Sequence, residues 1–324
     1  MYFKKNNSFA HGIMFHHFHD NKKHIKQQGS ISEDEFYKII KFIGRENIID
    51  AKDFYKLFIN KENHKKKVCF TFDDSLLCQF DIAFPILNDL KIKSFFFIYS
   101  SLYDGKPDML EMYRYFRMNF FQDIDEFYEV FFKKFNEIVN YFNLNEFDKF
   151  HTDDFNKLKN KAPYLSSNDT KFRVIRDEIL KKEDYSKIMD ALFKDYEFDY
   201  RSIMKKLFIS KEQLKFIKQF DHEIGLHSHR HPTSIQKLSY DEQLLEYSEN
   251  KKIIESIIEE NKIFSMSHPN GNYNRNTLEI LRNLDITLGF KPNMVFEEPL
   301  YKDDNSFLEV ARENHANIMK LINR

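Results

Sequence analysis

The sequence contains no tryptophan and only two cysteines, seven glycines and seven prolines among its 324 residues. Two cysteines in a chain of this length do not make a disulfide framework, so Cys69 and Cys78 are predicted to be buried thiols. No internal repeat and no low-complexity linker is present. The remaining composition, with 42% hydrophobic and 31% charged residues, is typical of a globular protein that buries a substantial core.

An excess of either charge is also missing from the sequence. Fifty basic residues stand against 51 acidic ones, which gives a formal net charge of -1. This balance provides no field that would hold a polyanion, so the sequence argues against nucleic-acid binding.

Long apolar runs are missing as well. No run approaches the ~18 apolar residues that a membrane span requires, so no membrane span is predicted. The residues Met1 to Ser8 include two lysines but no apolar segment of signal-peptide length after them. We therefore expect a cytoplasmic protein.

Strand and helix patterns alternate in the outer parts of the sequence. Lys67–Phe72 and Ser94–Tyr99 are apolar and β-rich, and a helical pattern at 81–90 separates them. A strand, a helix and a second strand in this order predict a parallel sheet. From about 105 to 210 the patterns are helical. We therefore predict one α/β domain over 1–324 that carries a helical insertion at about 105–210.

Polar side chains follow four of the apolar runs, at the points where the predicted strands end. Because the carboxyl ends of parallel strands meet at one face, these groups are predicted to lie together. The four groups are His16-His17-Phe18-His19-Asp20, Asp73-Asp74, His227-Ser228-His229-Arg230-His231 and His268.

One carboxylate and two imidazoles are the open three-ligand set expected of a catalytic zinc-type ion. In a pair of adjacent aspartates, one can bind the ion while the other takes a proton from water. Two other interpretations remain open. Asp73-Asp74 is also typical of a helix N-cap, and the histidines are also compatible with a polar, exposed loop.

Two motifs together resemble the polysaccharide deacetylase family of carbohydrate esterases. They are Thr71-Phe72-Asp73-Asp74 after an apolar strand and Gly225-Leu226-His227-Ser228-His229-Arg230-His231-Pro232 after a helix. The resemblance covers about 1–105 and 210–324, and it implies an α/β fold of the irregular (β/α)7-type barrel kind. It also implies a divalent cation, with Asp73 as the general base and with Asp74, His227 and His231 as the metal ligands.

Two further segments extend the resemblance. Phe15-His16 is similar to an aromatic–histidine pair at a strand end in many relatives, and Pro269-Asn270-Gly271 is similar to their Pro-x-Gly segment. The residues predicted to bind substrate are therefore His16, His17, Pro269, Asn270 and Gly271.

The sequence departs from the family pattern at two places. Ser267-His268-Pro269-Asn270 replaces the usual Arg-x-Pro-Tyr, and the usual Leu-x-Ile/Leu-His segment, which supplies a general acid, is missing. His268 and His315 are the candidates for the acid, although each is equally compatible with an ordinary loop histidine. Arg312 is the candidate for the missing arginine, or else it pairs structurally with an acidic residue.

These features predict a metal-dependent hydrolase that removes an N-acyl group, acetyl before formyl, from a sugar. Zn²⁺ is the expected ion, with Co²⁺, Ni²⁺ and Mn²⁺ as alternatives. The expected substrate is a nucleotide-linked or lipid-linked precursor in surface-glycan assembly, and the helical insertion is predicted to act as a lid. A non-catalytic glycan-binding module and a hydrolase of a non-sugar amide remain alternatives.

Overall fold

The computed structural model describes residues 2–3, 9–27, 29–60, 65–161, 166–260, 262–295 and 307–324. The chain divides into two compact units, one formed by Met1–Asp108 and Ile203–Arg324 and the other by Met109–Ser202. That these units make up one domain with an insertion at about 105–210 stays a prediction. The predicted absence of a signal peptide concerns Met1 to Ser8, most of which lies outside the described residues.

The first unit is built on a parallel sheet, as predicted. Its described part contains eight strands in the order β7-β6-β5-β4-β3-β2-β1-β8. In chain order, the strands are β1 (His11–Phe15), β2 (Val68–Phe72), β3 (Phe95–Ile98), β4 (Glu223–Leu226), β5 (Ser265–Ser267), β6 (Leu288–Phe290), β7 (Phe307–Val310) and β8 (Arg312–Asn314).

The two edge strands of this sheet are consecutive in the chain and are separated only by Ala311. Val310 pairs with Phe290 of β6, whereas Arg312 pairs with Gly12 of β1. The backbone N–H of Gly12 also donates to the carbonyl oxygen of Ala311 at 2.9 Å. The stretch 307–314 therefore acts as one bent strand that joins both edges. The result is a nearly closed barrel, and the predicted (β/α) barrel class is confirmed.

The helices of the described residues connect these strands or form the second unit. In chain order they are α1 (Glu33–Ile43), α2 (Ala51–Ile59), α3 (Phe84–Asp89), α4 (Met109–Asn119), α5 (Ile124–Ile138), α6 (Phe147–Lys161), α7 (Ser167–Val174), α8 (Lys182–Asp195), α9 (Tyr200–Leu207), α10 (Lys211–Gln219), α11 (Tyr240–Ile258), α12 (Arg275–Asn283) and α13 (His315–Ile322). None of them combines the length and apolar character that crossing a bilayer requires.

The second unit is helical, as its sequence pattern predicts. Its interior is aromatic, with Phe131 and Phe172 in edge-to-face contact at 4.9 Å and Phe116 and Phe193 at 5.0 Å between ring centroids. These four rings are buried. Edge-to-face contacts stabilise the fold by more than the burial of apolar area alone provides.

The layer between the strands and helix α1 is also filled by phenylalanine. Phe72 of β2 stacks on Phe96 of β3 at 4.8 Å and on Phe15 of β1 at 5.2 Å. Phe36 of α1 packs edge-to-face on Phe15 at 5.1 Å. All five residues of β2 and all four of β3 are buried, which is the pattern expected of parallel strands covered on both faces.

Gly225, in the middle of β4, provides a test of this packing. A Cβ atom there would lie 2.5 Å from the Phe97 ring and 2.7 Å from the Ser265 hydroxyl. We expect Gly225→Ala to lower the free energy of unfolding by about 1–3 kcal/mol, because the core must shift to accept the methyl group. Urea unfolding measures this. Glu279→Ala, on an exposed position of α12, is the control, and equal stability of the two variants would contradict the close packing around Gly225.

Candidate functional site

The candidate site lies at the carboxyl ends of the barrel strands. Asp73 and Asp74 directly follow β2, and His227 directly follows β4. The turns after these strands contain left-handed residues that are not glycine, with φ of 73° at Asp74, 63° at Ser228 and 55° at His231. Such conformations are unfavourable for residues with side chains and are found preferentially at functional sites.

Asp74, His227 and His231 meet at one point. Their potential ligand atoms all lie within 4.8 Å of one another. Oδ1 of Asp74 lies 3.2 Å from Nε2 of His227 and 3.4 Å from Nε2 of His231. The structure thus brings together the three residues that the sequence predicts as metal ligands.

In His227 and His231, the hydrogen bond made by Nδ1 determines that Nε2 faces the possible ligand atoms of the other residues. Nδ1 of His227 lies 2.8 Å from the carbonyl oxygen of Ser267, and Nδ1 of His231 lies 2.9 Å from Oδ2 of Asp108. Both partners accept, so both Nδ1 atoms carry the proton. In the neutral rings, Nε2 then presents its lone pair inward, and this is the arrangement that metal-binding histidines adopt. The donor set therefore fits a divalent cation.

Asp73 is held by different groups. Nη1 of Arg312 donates to its Oδ1 at 2.8 Å, and the Ser267 hydroxyl donates to its Oδ2 at 3.0 Å. Nη2 of Arg312 in turn donates to that hydroxyl at 2.7 Å, which closes the network. Asp73, Ser267 and Arg312 are all buried. Arg312 thus lies beside Asp73, the predicted base. It takes the position that the family pattern gives to an arginine, which the Ser267-His268-Pro269-Asn270 segment lacks.

The charges around the two aspartates keep both ionised. Burial alone would raise the pKa of Asp73, but the Arg312 guanidinium, followed by His227 and His16, holds it below its usual range. Burial opposes ionisation of Asp74 too, yet His16, His227 and His231 hold the pKa of Asp74 well below its usual range. Two ionised carboxylates at a single site are therefore available for different tasks.

His16, predicted to bind substrate, lies at both carboxylates. Its Nε2 is 3.7 Å from Oδ2 of Asp74 and 4.0 Å from Oδ2 of Asp73. The side chain keeps 28% of its surface exposed, against 3% for Asp73. Burial lowers the pKa of His16 below its usual value, although Asp74 and Asp73 both raise it. His16 therefore lies at the open side of the acidic pair, where burial disfavours its protonated form.

The two histidines predicted as the general acid are placed less favourably. Nδ1 and Nε2 of His315 lie 3.1 and 3.0 Å from the carbonyl oxygens of Met14 and Gly29, and its ring stacks on Phe15. Both ring nitrogens therefore face backbone rather than the site. Here the geometry argues against the predicted acid role of His315, because neither nitrogen is directed toward a substrate.

His268 is buried and stacks on Tyr273 at 4.1 Å, with its Nε2 at 2.8 Å from the carbonyl oxygen of Leu308. Burial lowers the pKa of His268 to about 3. A ring with this pKa is not in the imidazolium form at neutral pH, and Nε2 is already bonded to backbone, so both facts argue against the acid role of His268 as well.

The remaining residues predicted to bind substrate are spread around the barrel. His17 is buried, and its backbone carbonyl accepts from Ile31. Pro269 is buried, whereas Asn270 is exposed with a φ of 52°. A Cβ at Gly271 would lie 2.3 Å from Cγ of Pro292, so this turn requires glycine. Of these residues, Asn270 is the one whose side chain is open to solvent.

Sequence reasoning missed three residues that hold the histidine loop. Asn250 of α11 accepts from the backbone N–H of His227 at 3.0 Å and donates to the carbonyl oxygen of Ile98 at 3.0 Å. Glu246, one turn earlier, accepts from the backbone N–H of Arg230 at 2.8 Å, and Asp108 orients His231. The available signal was two polar residues four apart, Glu246 and Asn250, on the buried face of α11.

Comparisons with known proteins concern the family and the fold. A sequence model described as polysaccharide deacetylase matches residues 162–289. The match includes His227 and His231, whereas Asp73 and Asp74 lie outside it. No curated protein sequence matches the chain.

Solved structures of deacetylases share the fold. The deacetylase PplD of Streptococcus pyogenes is 16% identical, with 97% of this chain and 98% of that chain covered and a TM-score of 0.53. IcaB from Ammonifex degensii is 12% identical, with coverage of 98% and 99% and a TM-score of 0.52. A de-N-acetylase from Aggregatibacter actinomycetemcomitans is 13% identical, with coverage of 97% and 99% and a TM-score of 0.53.

The barrel is thus of the deacetylase kind, and the predicted resemblance to the polysaccharide deacetylase family is confirmed. The family model covers 128 of the 324 residues, and the solved structures show the fold.

The Arg312–Asp73 pair predicts a pH-dependent loss of stability. We expect Arg312→Met to lower the free energy of unfolding by about 3–5 kcal/mol at pH 7, because a buried carboxylate is left without its partner. The lowered pKa of Asp73 stabilises the native fold above the ordinary carboxyl pKa, and this contribution is lost as pH falls through the lowered value. In the variant the pKa of Asp73 rises, so the deficit should shrink as the pH is lowered.

Urea unfolding at pH 7 and at pH 5 measures this difference. Lys56→Met is the control, since its ion pair with Asp53 is exposed on both sides and should change stability little at either pH. If the Met variant does not fold, Arg312→Lys keeps the charge and should show a smaller deficit. A deficit that is the same at both pH values would contradict the assigned role of the pair.

Proposed function

We propose that the protein is a metal-dependent hydrolase that removes an N-acetyl group from a sugar. The proposal rests on the different surroundings of two adjacent aspartates. Asp74 lies with two histidine Nε2 atoms, while Asp73 is held apart by Arg312 and Ser267. In metal-assisted amide hydrolysis, one carboxylate of such a pair binds the ion and the other accepts a proton from water.

Asp74, His227 and His231 would hold the divalent cation, and we propose Zn²⁺ because two imidazoles and one carboxylate are ligands that it commonly takes. When bound, such a cation supplies Lewis-acid polarisation of the substrate carbonyl and lowers the pKa of a coordinated water. The carbonyl oxygen of Ser267 and the carboxylate of Asp108 keep the two imidazoles in the tautomer that this requires.

Asp73 is proposed as the general base. Arg312 occupies its Oδ1, and Oδ2 accepts only from Ser267 among the described hydrogen bonds. Oδ2 is also the oxygen that faces His16, at 4.0 Å. A carboxylate oriented in this way receives the proton of the attacking water on Oδ2.

His16 is proposed to carry that proton to the departing amine. A proton on Asp73, whose pKa is low, passes readily to a neutral imidazole. His16 then donates it to the nitrogen as the C–N bond breaks, so the water proton ends on the amine and both side chains return to their starting states. The position of His16 beside both carboxylates supports this role over the predicted roles of His268 and His315.

The acetyl group is supported by the similar deacetylase of Streptococcus pyogenes, whose structure was solved in complex with acetate. A nucleotide-linked or lipid-linked sugar as the substrate stays a prediction. The same holds for the lid function of the helical unit and for the cytoplasmic location.

The first test separates metal binding from catalysis. We expect the purified chain to retain zinc and to release acetate from N-acetylated glucosamine oligosaccharides. Asp73→Asn should keep the zinc and lose hydrolysis by about 10²–10⁴-fold, because the amide cannot take the proton. His227→Ala should lose both. Metal analysis and an acetate-release assay, with formate release measured in parallel on N-formylated sugars, check these outcomes.

Asp53→Asn, on an exposed position of α2, is the matched control and should behave as wild type. Unchanged hydrolysis in Asp73→Asn would exclude Asp73 as the base. Tight glycan binding by wild type without any acetate or formate release would instead identify a non-catalytic glycan-binding module.

The second test concerns His16. We expect His16→Gln to lower kcat by about 10²–10⁴-fold with the zinc content unchanged, since glutamine cannot accept and donate the proton. His19→Gln is the matched control from the same histidine cluster, because the His19 ring contacts Ser30 at 2.9 Å rather than the aspartates. Equal kcat values for the two variants, measured by acetate release, would exclude the relay.

A further inference from the structure

Gln79 connects the two residues between which the proposed proton transfer takes place. It follows Cys78 at the start of a π-helical turn, Gln79–Ala83, and its side chain is fully buried. Its Nε2 donates to the backbone carbonyl oxygen of His16 at 2.9 Å and to that of Asp73 at 2.6 Å. Both N–H bonds of one amide thus hold the backbone of both residues. π-helical turns of this kind occur frequently at functional sites.

The chemistry of this position favours glutamine. Two carbonyl oxygens must be satisfied from one point, and a primary amide offers two donors without a charge. The opposite amide orientation would direct Oε1 at both carbonyls, so the assignment of nitrogen and oxygen is fixed by the partners. Oε1 itself is buried and has no hydrogen-bond partner among the described residues. A buried acceptor without a hydrogen bond costs free energy. The amide orientation that leaves Oε1 unsatisfied is also the one that directs both N–H groups at the two carbonyl oxygens.

The hydrogen bonds of Gln79 connect the His16 and Asp73 segments beyond the last backbone hydrogen bond between them. The last backbone bond between the two segments runs from the N–H of Asp73 to the carbonyl oxygen of Phe15 at 3.1 Å. One residue further along the His16 segment, Gln79 links His16 to Asp73, and the thiol of Cys78 accepts from the N–H of Phe18 at 3.3 Å. The start of the π-helical turn therefore holds the His16 segment against the aspartate turn.

We propose that Gln79 is a positioning residue that sets the separation between the His16 imidazole and the Asp73 carboxylate, which is 4.0 Å. The inference rests on the proposed function, because it assigns Gln79 to the proton transfer between these two groups. Gln79 touches neither substrate nor metal ligands in this role and acts through the backbone of its two partners.

The test is a double-mutant cycle on the full chain, measured as kcat and KM for acetate release and as zinc content. Gln79→Met keeps the length of the side chain and removes both donors. We expect kcat to fall about 10–100-fold, as for other residues that orient active groups, with the zinc content intact. KM should stay within about twofold of wild type. In a His16→Gln background, Gln79→Met should lower kcat by less than about threefold, because both substitutions impair the same proton-transfer step.

The matched control is Gln243→Met. Gln243 is also fully buried and donates to a backbone carbonyl, that of Leu238, at 3.0 Å, but it contacts neither His16 nor Asp73. This variant should lose stability and keep kcat. If Gln79→Met does not fold, Gln79→Asn is one methylene shorter and can reach at most one of the carbonyls, so its kcat should lie between wild type and His16→Gln.

A readout independent of activity separates this inference from the proposed function. In NMR spectra of histidine-labelled protein, the His16 ring should give one sharp signal in wild type and in Gln243→Met, and a broadened or split signal in Gln79→Met. A kcat for Gln79→Met equal to that of Gln243→Met, or equal losses in the wild-type and His16→Gln backgrounds, would overturn the positioning role. Absence of acetate release from wild type would overturn the proposed function alone, with the ring signal still deciding for or against Gln79.

Discussion

The ion pair between Arg312 and Asp73 is the constraint on which the site depends. Both groups are buried, so neither can be held by water, and each requires the other. Arg312 comes from the strand that closes the barrel and Asp73 from the end of β2, 239 positions earlier in the chain. Gly12 makes room for the pair, because a Cβ there would lie 2.9 Å from Cγ of Arg312. Barrel closure and orientation of the proposed base are thus a single event.

The second part of the site is held from the opposite side by helix α11. Asn250 and Glu246 bind the backbone of the histidine loop, which includes left-handed residues at Ser228 and His231. A loop in this conformation persists only where its surroundings fix it. The backbone of the histidine loop is thus held by α11 and Asp73 by Arg312 of β8. Ser267 of β5 contacts both sides of the site, His227 through its carbonyl oxygen and Asp73 through its hydroxyl.

The sequence predicted the parts of this arrangement that local patterns encode. Apolar runs ending in Asp73-Asp74 and His227 identified strand ends, and the rule that such ends meet on one face placed these polar groups together. The choice of Asp74, His227 and His231 as ligands came from the family resemblance. The helical pattern at about 105–210 did not locate the helix ends, such as the break between Asp195 at the end of α8 and Tyr200 at the start of α9. The partners of His268 and His315 are backbone carbonyls of distant segments, which no pattern reveals. For the same reason no pattern singles out Gln79 or Asn250.

The bent strand over 307–314 also determines the order in which the molecule can be completed on the ribosome. Before this stretch is synthesised, β1 and β6 both expose unpaired edges, and exposed edges of this kind invite pairing with other chains. The contacts of β8 with β1 join the most distant parts of the described barrel, and contacts of long sequence separation form slowly. A nascent chain that lacks Arg312 contains both aspartates and both ligand histidines, but Asp73 has no ion-pair partner. Orientation of the proposed base is therefore expected to follow synthesis of the bent strand, with closure of the barrel as its last step.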